Sequence, residues 1–154
     1  MPLAVRNLQR RIRLSTPRVG RTVGRALRLL GRADREVHVS LVDDGALRRL
    51  NARFRGSSSR TDVLAFNLEG PGPSALLGEV VISADTAARQ AARLRVPVAL
   101  EVDLLAVHGV LHLVGYDDAE PVEARLMHER AREILSRCAA RPVPARLWSG
   151  LLGA

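Results

Sequence analysis

The feature that most constrains the fold of this chain is an apolar segment over residues 98–114, long enough for four to five helical turns. Four ionisable residues interrupt it: Glu101, Asp103, His108 and His112. The centre of a lipid bilayer tolerates such side chains poorly. The segment therefore predicts a helix buried in the core of a folded domain, and no membrane association.

The remaining pattern predicts a small sheet covered by helices. Alternating and β-branched residues bounded by turn residues predict three strands, at 37–42, 61–68 and 76–82. Helical patterns with capping residues predict further helices at 16–30, at 44–54, from Ser83 or Asp85 to Leu94, and at 121–138. A chain of 154 residues fits one domain over residues 1–154, of the α+β class, with about three to four strands and about five helices.

The two ends of the chain give weaker patterns. Residues 1–15 are rich in arginine, and no acidic residue precedes Asp34, so we expect a flexible basic arm there. The segment lacks the apolar stretch of a secretory signal. Residues 141–154 carry two prolines and Trp148, and their sequence predicts no particular structure.

The chain is strongly basic, with a formal net charge of +8, and every basic residue is an arginine. Such a charge attracts polyanions through phosphate contacts and counterion release. A lysine-free chain rich in alanine and arginine is also what a biased genome produces, so charge alone leaves nucleic-acid binding open. The single cysteine, Cys138, excludes an internal disulfide.

Two histidines of the apolar helix form the candidate functional site. His108 and His112 are four residues apart, so both imidazoles leave the same helix face and can share one divalent ion. The alternative is two unrelated core histidines, each hydrogen-bonded to a carbonyl group. We expect a third ligand where Gly115 ends the helix, from either Asp117 or Asp118. Two histidines and one carboxylate leave a coordination position open for water, as catalytic sites do.

The sequence around these histidines resembles the YbeY family of bacterial endoribonucleases. Residues 108–118, HGVLHLVGYDD, are similar to its H-G-x-L-H-L-x-G-Y-D-H motif. Three further segments are similar to family motifs, in order and with compatible gaps: LNARFRG at 50–56, TDVLAF at 61–66 and LGEVVIS at 77–83. Together the matches span about residues 37–134.

Four positions depart from the family pattern. Asp118 stands where the family has its third metal-binding histidine, which leaves the identity of the metal open. Phe54 replaces a tyrosine, Ala65 a serine and Asn67 a proline. Carboxylates are ordinary ligands of zinc and iron, so Asp118 is compatible with a site.

The resemblance implies a mixed sheet flanked by helices and one divalent ion held by His108, His112 and Asp118. Zinc is the metal expected, with iron, nickel or manganese as alternatives. It also implies a cytoplasmic bacterial endoribonuclease that cuts single-stranded RNA and in which Arg55 holds the scissile phosphate. The substrate would be the 3′ end of small-subunit ribosomal RNA, in RNA maturation and ribosome quality control. Partners would be the small ribosomal subunit and ribosomal or assembly proteins; no oligomeric state is predicted.

Two other functions remain compatible with these residues. One is a ribosome assembly factor whose metal only supports folding, and the other is a hydrolase of the metalloprotease kind. The H-E-x-x-H metalloproteases place a glutamate base after the first histidine, where this chain has Gly109. Near the site, Asp117 is expected to orient an imidazole N–H group, while Tyr116 either positions a phosphate or packs under the loop.

Overall fold

A computed structural model describes residues 3–54, 62–69 and 75–149. Within these ranges the chain forms four strands, five α-helices and one short 3₁₀-helix. In chain order they are β1 (Leu3–Asn7), α1 (Thr16–Leu29), β2 (Glu36–Val42), α2 (Asp44–Phe54), β3 (Val63–Asn67), β4 (Leu76–Ser83), α3 (Ala84–Leu94), α4 (Val98–Leu113), α5 (Pro121–Cys138) and the 3₁₀-helix (Ala145–Trp148).

The four strands form one mixed sheet in the order β1-β2-β4-β3. β1 and β4 each pair with β2 in parallel, whereas β3 pairs with β4 antiparallel. This confirms the α+β class and the mixed sheet that the sequence resemblance implied.

The strand β1 corrects the prediction for residues 1–15, because Leu3–Asn7 lies in the sheet and pairs with β2. The C-terminal tail, which the structure describes as far as residue 149, packs against the core. Its 3₁₀-helix buries Leu147 and Trp148 in a cluster with residues of α4 and α5.

Side-chain caps fix the start of two helices. The Ser15 hydroxyl accepts a hydrogen bond from the Arg18 N–H at the start of α1. The Ser83 hydroxyl does the same for the Thr86 N–H, so Ser83 rather than Asp85 caps α3.

A polar cluster joins the start of α2 to α3. The Asp44 carboxylate accepts hydrogen bonds from the Ser83 hydroxyl, from the Thr86 hydroxyl at 2.6 Å and from the Arg89 guanidinium at 2.8 Å. Burial would raise the pKa of Asp44. The three hydrogen bonds and the charge of Arg89 outweigh burial and lower that pKa from 3.8 to about 2.

Helix α4 is the centre of the core, which confirms the prediction of a buried helix. Residues 100–113 are all buried, with one side of the helix toward the sheet and the other toward α5. Two glycines allow this close packing. A Cβ atom on Gly109 of α4 would lie 2.5 Å from Cγ1 of Val80 on β4, and one on Gly78 of β4 would lie 2.6 Å from Cδ2 of Leu113 on α4. Both distances are far below van der Waals contact, so α4 and β4 pack more closely than a side chain at either position would allow.

A charged residue inside this apolar helix is paired with α1. The Asp103 carboxylate accepts hydrogen bonds from Nε and Nη2 of Arg18, at 3.0 and 2.9 Å, and from the Thr22 hydroxyl at 3.1 Å. Burial raises the pKa of Asp103, against the opposing effect of Arg18. The ionisable side chain is therefore accommodated in the core by partners on a neighbouring helix.

In the part of the chain that the structure describes, no single helix is both long and apolar enough to cross a membrane. Helices α3 and α4 pass that test only when they are joined, and they bend by 119° at the break between them.

Candidate metal centre

The turn that ends α4 brings a carboxylate back to the two histidines. Gly115 has a φ of +108°, a conformation that glycine adopts readily. Its N–H donates to the His112 carbonyl at 3.1 Å, and the Tyr116 N–H donates to the Leu111 carbonyl at 3.0 Å. These two bonds and the glycine form a Schellman turn. The chain therefore reverses within three residues and carries Asp118 toward the helix it has just left.

The three donor atoms form a compact triangle. Nε2 of His108 lies 3.2 Å from Nε2 of His112, and Oδ2 of Asp118 lies 3.6 Å from each of those nitrogens. Zinc bonds to such ligands are about 2.0–2.1 Å long, so donors in tetrahedral coordination are about 3.3–3.4 Å apart. Residues His108, His112 and Asp118 could therefore hold one metal ion with little movement.

A backbone carbonyl orients one of the imidazoles. Nδ1 of His112 lies 3.1 Å from the carbonyl oxygen of Tyr116. Because a carbonyl can only accept, this nitrogen carries the proton, and Nε2 keeps its lone pair for the triangle. The outer partner that stabilises a metal-binding histidine is here the main chain of the turn.

Asp117 has a different role from the one that the sequence suggested. Its Oδ1 accepts hydrogen bonds from the N–H groups of Asp118, at 2.7 Å, and Ala119, at 3.3 Å. The prediction that Asp117 orients an imidazole is wrong, since the Tyr116 carbonyl takes that place. Asp117 instead fixes the loop that presents Asp118.

The charges around the triangle favour a bound cation. His108 is fully buried, His112 is nearly so, and Asp118 is half-buried. A hydrogen bond with His108 lowers the pKa of Asp118, and the charges of the two histidines lower it further, against the effect of burial. Asp118 is therefore ionised at neutral pH. A divalent ion that replaces the protons of the two imidazoles would bind their Nε2 lone pairs together with the ionised carboxylate, and it would offset the negative charge in this buried place.

The structure gives a steric reason against the H-E-x-x-H arrangement. Gly109 faces β4, and a Cβ atom there would lie 2.5 and 2.9 Å from the two methyl carbons of Val80. A glutamate at this position would not fit between α4 and the sheet. The close packing of α4 on β4 is therefore the structural reason why no glutamate base follows the first histidine in this chain.

Two other residues were singled out from the sequence, and the structure describes one of them. Tyr116 packs against the apolar cluster that contains Leu111 and Met127, which agrees with a packing role. Arg55 lies outside the described residues, so its role at a phosphate stays a prediction.

Two contacts at the site were not predicted. The Tyr116 carbonyl belongs to the main chain, so no side-chain pattern could have indicated it. The second is Asn67 at the end of β3, whose Nδ2 donates to the Leu113 carbonyl at 3.1 Å. It links the sheet edge to the end of the helix that carries the histidines. The departure from the family's proline at this position was the available signal.

The sequence places the protein among known relatives. Residues 4–139 match the family model described as Endoribonuclease YbeY. The chain belongs to the YbeY family. A relative from Anaeromyxobacter sp. (strain Fw109-5) named Endoribonuclease YbeY is 47% identical, over 80% of this chain and 69% of its own length. Another with that name, from Syntrophus aciditrophicus (strain SB), is 36% identical, over 87% of this chain and 88% of its own length.

A solved structure shares the fold. The solution structure of a Thermotoga maritima protein aligns with a TM-score of 0.59 at 21% sequence identity. The alignment covers 98% of this chain and 92% of that protein. The YbeY assignment thus rests on sequence, and this structure adds the likeness of the fold.

Proposed function

We propose that this protein is a metal-dependent endoribonuclease that cuts single-stranded RNA, with one divalent ion held by His108, His112 and Asp118. The observation that carries the proposal is the donor triangle, with its sides of 3.2, 3.6 and 3.6 Å. All three donors lie within residues 4–139, the part of the chain that matches the family model described as Endoribonuclease YbeY.

The bound ion would supply an acidified water and a polarised phosphoryl oxygen. The protein's own residues prepare the place for it. The Tyr116 carbonyl holds the His112 ring so that Nε2 faces the triangle. Asp117 holds the loop so that the ionised carboxylate of Asp118 faces it too. With Gly109 packed on β4, no carboxylate base follows the first histidine.

The ligand set bears on the choice of metal. Two neutral imidazoles and one carboxylate leave a divalent site with a net charge of +1, whereas three imidazoles leave +2. We propose zinc as the resident ion because the donor spacing suits tetrahedral zinc. Asp118 adds a hard oxygen ligand, which makes iron, nickel or manganese more competitive than they are with three nitrogens.

Arg55 is proposed as the residue that binds the scissile phosphate. It follows directly on Phe54, where α2 ends. A guanidinium offers forked donors that match phosphate oxygens and offset the charge that develops during displacement. The net charge of +8 supports an RNA substrate for the same electrostatic reason.

We further propose the biological setting that family membership supports. The substrate would be the 3′ region of small-subunit ribosomal RNA in a bacterial cytoplasm, during maturation and ribosome quality control. The partners would be the small subunit and ribosomal or assembly proteins.

The decisive experiment compares two histidine variants of the full chain. His112→Ala removes a donor of the triangle, while His38→Ala removes a half-exposed histidine of β2 that pairs with Glu36 at 2.8 Å. Wild type and His38→Ala should cut a single-stranded RNA with the 3′ ribosomal sequence. A chelator should stop cleavage, added zinc should restore it, and His112→Ala should be inactive.

Three outcomes would contradict the proposal in different ways. Cleavage that survives both the chelator and His112→Ala would separate the activity from the metal. A protein that binds metal and ribosomal subunits but cuts no RNA would be an assembly factor. Metal-dependent cleavage of peptides without cleavage of RNA would indicate a hydrolase of the metalloprotease kind.

A further inference from the structure

The carboxyl end of α2 presents an aromatic ring to solvent. Of the four aromatic residues Phe54, Phe66, Tyr116 and Trp148, all of them described, only Phe54 is exposed, with 57% of its surface accessible. The ring stands edge-to-face with that of Phe66, at a centroid distance of 6.3 Å. The Arg53 guanidinium carbon lies 5.2 Å from the centre of the Phe54 ring. The apolar surface of the Phe54 ring is thus exposed to water, and a ligand that covered the ring would gain free energy from its burial.

The helix around this ring is basic. Arg48, Arg49 and Arg53 are all exposed, and Arg49 and Arg53 are one turn apart on the same face of α2. Within the described parts of the chain, none of the three forms an ion pair. An exposed aromatic ring among cations is what proteins use to bind single-stranded nucleic acid.

The contacts of β3 connect this ring to the candidate metal centre. Phe66, which Phe54 touches, lies on the α2 side of the sheet with Leu64 and Val81. The next residue, Asn67, is bonded to the Leu113 carbonyl at the end of α4. β3 is an edge strand, with β4 as its only partner among the described strands. Both α2 and the carboxyl end of α4 therefore contact β3, and an RNA strand bound along this edge would pass both helices.

We propose that Phe54 is a stacking platform for an unpaired base of the RNA substrate, and that Arg53 then moves to a neighbouring phosphate. The proposal rests on the proposed function. Stacking of a base on an aromatic ring is stronger than an exposed cation–π contact, so a base displaces the guanidinium from the ring. A base within a duplex cannot stack in this way, so the platform also selects single-stranded RNA.

The test measures binding by the metal-loaded full chain. The probe is a short fluorescent RNA with phosphorothioate linkages, which a gel shows to remain intact, and a matched set carries one abasic sugar at each position in turn. Phe54→Ala should raise the Kd for the intact RNA about 5- to 100-fold, and Phe54→Trp should restore it. One abasic position should weaken binding by wild type and have no further effect in Phe54→Ala.

Leu126→Ala is the matched control, because Leu126 is a 54% exposed apolar side chain on α5. Leu126→Ala should bind RNA as wild type does. Phe54→Ala and Leu126→Ala should both keep the melting temperature and the metal content of wild type. Arg53→Ala should reduce the slope of log affinity against log salt by about one phosphate contact.

The outcomes separate this inference from the function on which it rests. If wild type binds and cuts RNA but Phe54→Ala has the same Kd, the platform is refuted alone. If Phe54→Ala loses as much affinity for every abasic RNA as for the intact one, the ring does not stack on a base. If wild type neither binds nor cuts RNA, the proposed function and the platform both fail.

Discussion

Replacing Gly109 with alanine adds one methyl group where α4 lies against β4. That carbon would stand 2.5 and 2.9 Å from the methyl carbons of Val80, whereas carbon atoms in contact are about 3.5–4.0 Å apart. Either α4 or β4 must therefore shift by about 1 Å. Val80 cannot relieve the contact easily, because a β-branched side chain has few rotamers and Val80 is fully buried.

The expected loss of stability follows from two opposing effects. Overpacking of a core costs about 1–3 kcal/mol, and replacing a helical glycine by alanine recovers up to about 1 kcal/mol. We expect Gly109→Ala to lower the free energy of unfolding by about 1–2 kcal/mol. For a chain of this size, the melting temperature should fall by about 2–8 °C.

Gly24→Ala provides the matched control. Gly24 lies within α1, and a Cβ atom there would meet no atom within 4 Å. This variant should gain helix propensity without overpacking, so its melting temperature should rise by about 2–4 °C. Thermal unfolding followed by circular dichroism measures both. A Gly109→Ala variant as stable as Gly24→Ala would refute the close packing of α4 on the sheet.

Three further predictions concern charge. The pKa of Asp44 is lowered from 3.8 to about 2, which corresponds to a contribution of about 2 kcal/mol to the free energy of unfolding. This contribution should be present above pH 4 and lost as the pH falls toward 2. Urea unfolding should therefore show that the stability difference between wild type and Asp44→Asn shrinks over this range. Arg55→Ala should keep metal content and melting temperature but reduce RNA cleavage by about 10²-fold or more, and undiminished cleavage would contradict its role. Asp118→His should tighten zinc binding and move the pH–rate profile to lower pH, because a more positive site acidifies water more strongly; an unchanged or raised optimum would contradict this.

The regular elements of the core were predictable because their patterns are long and local. The helix that carries the histidines is mostly apolar over its whole length, and strands β2 and β4 show β-branched runs bounded by turns. β1 was missed because five residues that include Arg6 and Asn7 carry no such pattern. Its place in the sheet comes from pairing with β2, a contact between distant parts of the chain.

The donor side chains of the candidate site were predictable from the sequence, whereas the main-chain contacts that hold them were not. The spacing of His108 and His112 on one helix fixes their common face, whatever surrounds them. The choice between Asp117 and Asp118 needed the family motif, because both follow Gly115 within three residues. The structure separates them: one carboxylate binds the backbone of the loop, and the other completes the triangle.

The central claim is that His108, His112 and Asp118 hold one divalent ion. The direct test is elemental analysis of protein purified without chelator, for wild type, His112→Ala, Asp118→Ala and Asp117→Ala. Wild type should contain about one ion per chain, His112→Ala and Asp118→Ala should lose most of it, and Asp117→Ala should retain more than either. Wild type that holds no metal and gains no thermal stability from added zinc would contradict the site. If Asp118→Ala retains the metal and Asp117→Ala loses it, the third ligand is Asp117, and the assignment of Asp118 is wrong.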